Sequence, residues 1–330
     1  MLFRSAAAVI ALFAASAQAA GSLDYDYEDF RAWNDFTGSA CNGLKNSPVA
    51  VKTTECTRYE DYAMTHGDCK FSSTKTSILK NGVQIGISDD STCTPSNVVI
   101  PGIEDVFHFA QFHIHLSSEH TIDDEFFSAE LHMVHLNEGM TRAAVVGTMI
   151  EPSRVSDNPV FEPYLQSFRA ARAEIECSDC LKDEVAGTAM PGSDNDIHPY
   201  KLVEGNTFYH YDGGLTTPTC DEIVWWNLSD SVMDISVRQF NDLADIILNT
   251  HHDVNGECKR MTVANKAGST SRPVQKLNGR KVDRICPRSM FGGDKPVGPD
   301  TGEGESSATS AVVGVAGAVS LAAAVASHIL

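Results

Sequence analysis

Period-two alternation of polar and apolar residues dominates the middle of the chain. In the run FHFAQFHIH, side chains of an extended strand point alternately to opposite faces, so Phe107, Phe109, Gln111, His113 and His115 are predicted to share one face. After a short polar break, Glu130, His132 and Val134 form a second such set, and a hairpin would bring His132 opposite the first pair. The continuous apolar run Ala143 to Ile150 predicts a buried central strand, stopped by Glu151-Pro152. Shorter β-type segments lie at Ser77–Leu79, Val83–Ile87 and Asn97–Ile100, with a tight turn at Asn81-Gly82 and a break at Thr94-Pro95-Ser96. The period changes to that of a helix in Pro159–Ile175, with Phe161, Tyr164, Leu165 and Phe168 on one face, and again in Ser236–Leu248, with Val237, Phe240, Leu243 and Ile247. These patterns predict a mainly β single domain with two helices as peripheral covers.

The chain ends have a different character. Arg4, the apolar run Ala6 to Ala17 and the small-residue site Ala17-Gln18-Ala19 read as a cleaved secretory signal over residues 1–19. The folded domain is placed at 20–290, followed by a Gly/Ser/Asp/Glu-rich stalk over 291–310. Residues 311–330 are small and apolar with no Lys or Arg after them, which favours a GPI-attachment signal, its site within Gly302–Ala308, over a spanning helix. Nine cysteines behind such a signal are expected to be mostly paired, one being left over. Cys177-x-x-Cys180 lacks a βαβ setting and reads as two separate loop bridges. A formal net charge of −19 excludes nucleic acid as a partner, since that surface must be basic. Asn227-Leu228-Ser229 has the form of an N-glycosylation acceptor.

Three neutral imidazoles from two adjacent strands, His113, His115 and His132, can converge on one ion and leave a fourth position open, the arrangement of a catalytic zinc site. Gln111 and Glu130 stand on the same faces, where they would accept the second N–H of the ligands and fix their tautomers. By simple alternation His108 and His135 point away from the set.

The segments QFHIH, SSEHT and AELHMVH are similar to the zinc-binding core of alpha-class carbonic anhydrases, and the short SSEHT connection with IVWWN downstream resembles the delta class of marine algae. The resemblance extends from about residue 30 to 285 through Asn46-Ser47-Pro48-Val49 and Arg272-Pro273-Val274-Gln275, with Asn46 where alpha-type sequences usually have Gln. It implies a central twisted, mostly antiparallel sheet, Zn²⁺ as cofactor, and carbon dioxide and bicarbonate as substrate and product. It further implies that zinc-bound hydroxide attacks carbon dioxide while Thr216 accepts a hydrogen bond from that hydroxide and donates its own to an ionised Glu119. Val134, Val145, Leu215, Thr217 and Trp226 would line the pocket, and Cys41 and Cys220 would be bridged. At the place where fast relatives carry a proton-shuttling histidine, after an Asn-Gly pair, this chain has Val83, so no shuttle is expected there. The competing reading is a silent binding or adhesion domain of the same type. It is disfavoured because His113, His115, His132, Glu119 and Thr216 are all present. A zinc hydrolase is disfavoured because H-E-x-x-H is missing.

Overall fold

The computed structural model describes residues 23–290 except 90, 176–195, 204 and 206. The segments read as a signal, a stalk and an apolar tail, and the Cys177/Cys180 pair, lie outside the described residues. Twelve strands form one mixed sheet. In chain order they are β1 (Arg58–Tyr59), β2 (Ala63–Thr65), β3 (Thr74–Leu79), β4 (Gly82–Ile87), β5 (Asn97–Val99) and β6 (Val106–Leu116). They continue with β7 (Ala129–Asn137), β8 (Ala143–Arg154), β9 (Phe208–Gly213), β10 (Val224–Ser229), β11 (Met233–Ser236) and β12 (Asp283–Cys286). The main path across the sheet runs β1-β12-β9-β10-β8-β7-β6-β4-β3. Most neighbours are antiparallel, while β8 pairs in parallel with both β10 and β11, and β12 with β1.

Alternation along β6 sets the two layers. Phe112, Ile114 and Leu116 enter a large apolar cluster with Phe161, Leu165 and Phe168 of the 161–175 region and Leu243, Ile246 and Ile247 of the second helix. These helices, α1 (Glu162–Ile175) and α2 (Val237–Asn249), cover that face. Helix α2 begins at a reciprocal cap: Ser236 Oγ accepts from the Gln239 N–H at 3.1 Å, and Gln239 Oε1 accepts from the Ser236 N–H at 3.2 Å. The opposite face carries His113, His115 and His132 beside a second apolar cluster that contains Val134, Val145 and Trp226.

Three local expectations change. Strand β8 does not stop at Glu151-Pro152 but runs on to Arg154 along β11; the register shifts between Glu151 and Arg154, and such an irregularity spares proline the ladder bond it cannot donate. In β6 the register against β7 shifts between Phe109 and Gln111. The extra residue, Ala110, reverses the phase upstream. Phe109 therefore lies with Phe112 and Ile114 and meets His135 edge to face, 5.7 Å between centroids. Phe107 is likewise removed from the ligand face, and His108, paired with Leu136, falls on it. The first helix begins at Glu162 rather than Pro159, because Asn158 Oδ1 accepts from the Val160 and Phe161 N–H groups in a preceding turn.

Candidate metal centre

Cross-strand register builds the site. His113 pairs with His132 and His115 with Glu130 across β6 and β7. On the far side of β7, Gly147 of β8 stands opposite His132, where a Cβ would come within 2.7 Å of Leu228 Cδ2 and displace that side chain. His113, His115 and His132 each offer one nitrogen, and these lie within 4.8 Å of one another. All three side chains are buried.

Hydrogen bonds on the outer nitrogens fix the inner ones. Carbonyl and carboxylate oxygens only accept, so the ring nitrogens facing them must donate. His113 Nδ1 donates to Gln111 Oε1 at 2.9 Å, His115 Nδ1 to the Thr270 carbonyl at 2.8 Å, and His132 Nε2 to Glu130 Oε1 at 2.7 Å. A neutral imidazole has one N–H. The remaining nitrogens, Nε2 of His113 and His115 and Nδ1 of His132, therefore present three lone pairs to one another. His132 Nδ1 and His113 Nε2 are only 3.2 Å apart. With both protons committed outward, this contact is a repulsion between acceptors, not a hydrogen bond. His115 Nε2 is buried with no hydrogen-bond partner. A tetrahedral zinc with Zn–N distances of about 2.0–2.1 Å holds its ligand nitrogens about 3.3 Å apart, so the donor set fits such an ion in both chemistry and spacing. Burial, followed by the neighbouring His115 and His132, holds His113 well below the usual imidazole range; burial brings His115 to about 4 against the pull of the Thr270 carbonyl. Both are neutral at neutral pH, the ligating form.

Glu130 anchors the array. Besides His132, Oε1 accepts from His120 Nδ1 at 2.7 Å, and Oε2 accepts from the Glu119 and His120 N–H groups, each at 2.8 Å. Burial alone would raise this carboxyl, but His120 and His132 outweigh it and hold it well below the usual range. His120 continues the chain of bonds: its Nε2 lies 2.6 Å from Tyr211 Oη, which donates to Ser47 Oγ at 2.9 Å. His120 and Tyr211 escape a reading of the sequence that follows ligand spacing alone, although His120 adjoins Glu119 and Tyr211 has the period-two phase of an inward residue in YHYDG.

Glu119 lies beside the lone pairs, Oε2 being 3.6 Å from His115 Nε2 and 3.9 Å from His132 Nδ1. Its Oε1 accepts from the Arg272 N–H at 2.9 Å, while Oε2 has no hydrogen-bond partner. Burial raises this carboxyl to about 7, countered by His132, by the Thr216 hydroxyl nearby and by the Arg272 N–H. The Arg272 guanidinium reaches the other way, donating to Asn46 Oδ1 and the Ser47 carbonyl, both at 2.8 Å, and to the Cys41 carbonyl at 2.6 Å. Asn46, the departure noted in the sequence, thus still supplies an acceptor to this support. Cys41 is bonded to Cys220, 2.02 Å between sulfurs, in the loop that holds Thr216. Further bridges join Cys56 to Cys286 and Cys69 to Cys93; Cys258 is also disulfide-bonded, and no cysteine is free among the described residues.

Val134, Val145, Leu215 and Trp226 meet in one apolar group, with the Trp226 ring edge-on to His132 at 4.8 Å; Thr216 and Thr217 are buried close by in sequence. Two expected positions fall elsewhere. Val83 pairs with Ile114 and is fully buried in the helix-side core, so a side chain there does not enter the site; Gln84, paired with His113, faces it instead. Asn227 is fully buried in β10, its Nδ2 donating to the Val145 and Trp225 carbonyls and its Oδ1 accepting from Tyr62 and His210. With every polar atom engaged and no exposure, it leaves no room for a glycan.

A model of the eukaryotic-type carbonic anhydrase family matches residues 28–286. A carbonic anhydrase of Dunaliella salina is 29% identical over 284 residues, covering 78% of this chain and 43% of that longer protein. A carbonic anhydrase of Pectobacterium atrosepticum is 26% identical over 275 residues, 81% of this chain and 93% of the relative. Among solved structures, the alpha-carbonic anhydrase of Thermovibrio ammonificans superposes with a TM-score of 0.58 at 22% identity, over 80% of this chain and 100% of the other. Dioscorin, solved in complex with ascorbate, shares the fold at 19% identity with a TM-score of 0.57, over 80% of this chain and 99% of its own.

Proposed function

This chain belongs to the eukaryotic-type carbonic anhydrase family, and from that premise we propose that it catalyses the reversible hydration of carbon dioxide to bicarbonate and a proton, using zinc held by His113, His115 and His132. The observation that carries this reading is the convergence of three outward-fixed imidazoles on one point, with the unpartnered oxygen of Glu119 beside them. Zinc bound there lowers the pKa of a water to about 7 and acts as a Lewis acid.

The chain's own residues then orient and hold. Gln111, Glu130 and the Thr270 carbonyl keep the three rings in the ligating tautomer. Added positive charge at the three nitrogens favours the ionised form of Glu119. As a carboxylate, Glu119 only accepts, so it accepts a hydrogen bond from the Thr216 hydroxyl and leaves Thr216 Oγ1 an acceptor toward the reacting oxygen. The Arg272 N–H keeps the other carboxylate oxygen from turning. Val134, Val145, Leu215 and Trp226 offer carbon dioxide an apolar wall with few competing waters, and the bicarbonate ion, which is charged, is poorly held by that wall and leaves.

The test is hydration of carbon dioxide by the zinc-replete protein, followed by stopped-flow acidification. Catalysis that vanishes on chelation and returns with zinc is expected; a folded, zinc-loaded protein with no catalysis would show a binding domain instead.

A further inference from the structure

A second group of metal-ligating side chains lies at an edge of the molecule. His66 follows β2, while Asp196 and His198 precede the short 3-10 turn Pro199–Leu202. One ligand atom from each of the three lies within 4.8 Å of the others. The two rings are stacked, 3.6 Å between centroids and inclined by 20°, and Asp196 Oδ2 is 3.8 Å from His198 Nε2.

Backbone contacts brace this arrangement. On one side the buried Ile197 donates its N–H to the Cys69 carbonyl at 3.0 Å, and the His198 N–H donates to Tyr164 Oη at 3.2 Å. On the other, the Gly67 N–H donates to Ser96 Oγ at 3.1 Å, and Gly67 packs so tightly that a Cβ would come within 2.0 Å of the Thr94 carbonyl. The Cys69–Cys93 bridge ties the same corner. Two imidazoles from distant parts of the sequence are thereby brought together, with His66 Nδ1 3.5 Å from Ser96 Oγ. Two imidazoles and one carboxylate, with positions open to water, suit zinc, copper or nickel, whereas calcium and magnesium require oxygen ligands.

We propose that His66, Asp196 and His198 form a second, surface site for a divalent transition ion of the zinc and copper class, clasping the segment that carries Tyr200 to the β2 edge of the sheet. Lys201 opposes a cation, and two of the three ligands are exposed, so this site is weaker than the buried three-imidazole centre.

Equilibrium dialysis of the full chain against zinc chloride alone at neutral pH, with bound metal counted by mass spectrometry, tests the proposal. The unaltered protein should take up two equivalents at micromolar free zinc. His66→Ala and His198→Ala should each take up one, and His132→Ala should retain the surface equivalent while losing the buried one. His198→Gln, which keeps size and polarity, should lose the same equivalent as His198→Ala and so separates loss of a ligand from loss of the fold. A single equivalent in the unaltered protein, or two equivalents in folded His66→Ala and His198→Gln, would overturn it.

Discussion

Replacing Glu130 by glutamine exchanges one oxygen for an NH2 group with almost no change of volume, yet it removes an acceptor on which four donors depend. Two ring nitrogens reach Oε1 at 2.7 Å and two backbone N–H groups reach Oε2 at 2.8 Å, all of them buried. An amide oxygen can serve only one of these pairs. If it serves the backbone, the NH2 faces the rings, and His132 can accept it at Nε2 only by moving its proton to Nδ1, the nitrogen that faces the metal position. If it serves the rings, the NH2 points at two N–H groups. Either way two bonds to a charged acceptor are lost, at about 1.5–3 kcal/mol each. The sum, about 3–6 kcal/mol, is a large part of the roughly 5–15 kcal/mol by which a domain is stable. Zinc affinity should fall by about 10–100-fold, as for other supports of metal ligands. Urea unfolding of the metal-free protein reads the first effect and competition with a chelator the second. An unchanged unfolding midpoint together with unchanged zinc affinity would refute the claim that Glu130 sets the tautomer of His132.

Other expectations follow from the same geometry. His132→Ala should lose bound zinc and hydration activity together, as measured by metal content and stopped-flow assay, because three protein ligands are the minimum for this kind of centre. Glu119→Gln and Thr216→Ala should keep stoichiometric zinc but slow hydration by about a hundredfold or more, since both act on the reacting oxygen without ligating the ion. Burial holds His135 at about 4, against its bonds to the Ala144 carbonyl and Met133 backbone. Folding thus favours its neutral form, and the associated stability, complete above the unfolded pKa of about 6.5, is lost as pH falls toward 4, by about 3 kcal/mol. Urea titrations across that range should show a shallower acid slope for His135→Gln. Val83→His should lower the unfolding midpoint without raising turnover in dilute buffer, because the position faces the core, whereas added imidazole should speed the unmodified enzyme by carrying the proton that no shuttle at this position can.

The period-two runs made β6 and β7 legible before any coordinates, and the continuous apolar run made β8 so, because each is long and buried on at least one face. The same rule carried His113, His115 and His132 onto one face, with Gln111 and Glu130 beside them. It failed at Ala110, since one inserted residue leaves the F-x-F spacing intact while turning Phe107, His108 and Phe109 over. Val83 was misplaced for a related reason: the face a strand residue takes depends on its partner, and the Val83↔Ile114 pairing has no local signature. The Asn227 tripeptide specifies residue types and says nothing about burial. Least legible were supports contributed by the main chain, the Thr270 carbonyl and the Arg272 N–H, because any residue at those positions carries the same groups.

Those two main-chain supports have a consequence for biosynthesis. Strands β6, β7 and β8, with all three imidazoles and Glu130, leave the ribosome more than a hundred residues before Thr270 and Arg272 do. Until then His115 has no acceptor to choose its tautomer, and Glu119 is free to turn. A nascent chain, or one truncated before residue 270, would carry every ligand yet bind zinc poorly and nonselectively. Maturation of the centre is therefore a late event, coupled to docking of the C-terminal segment against β6 rather than to formation of the strands that bear the histidines.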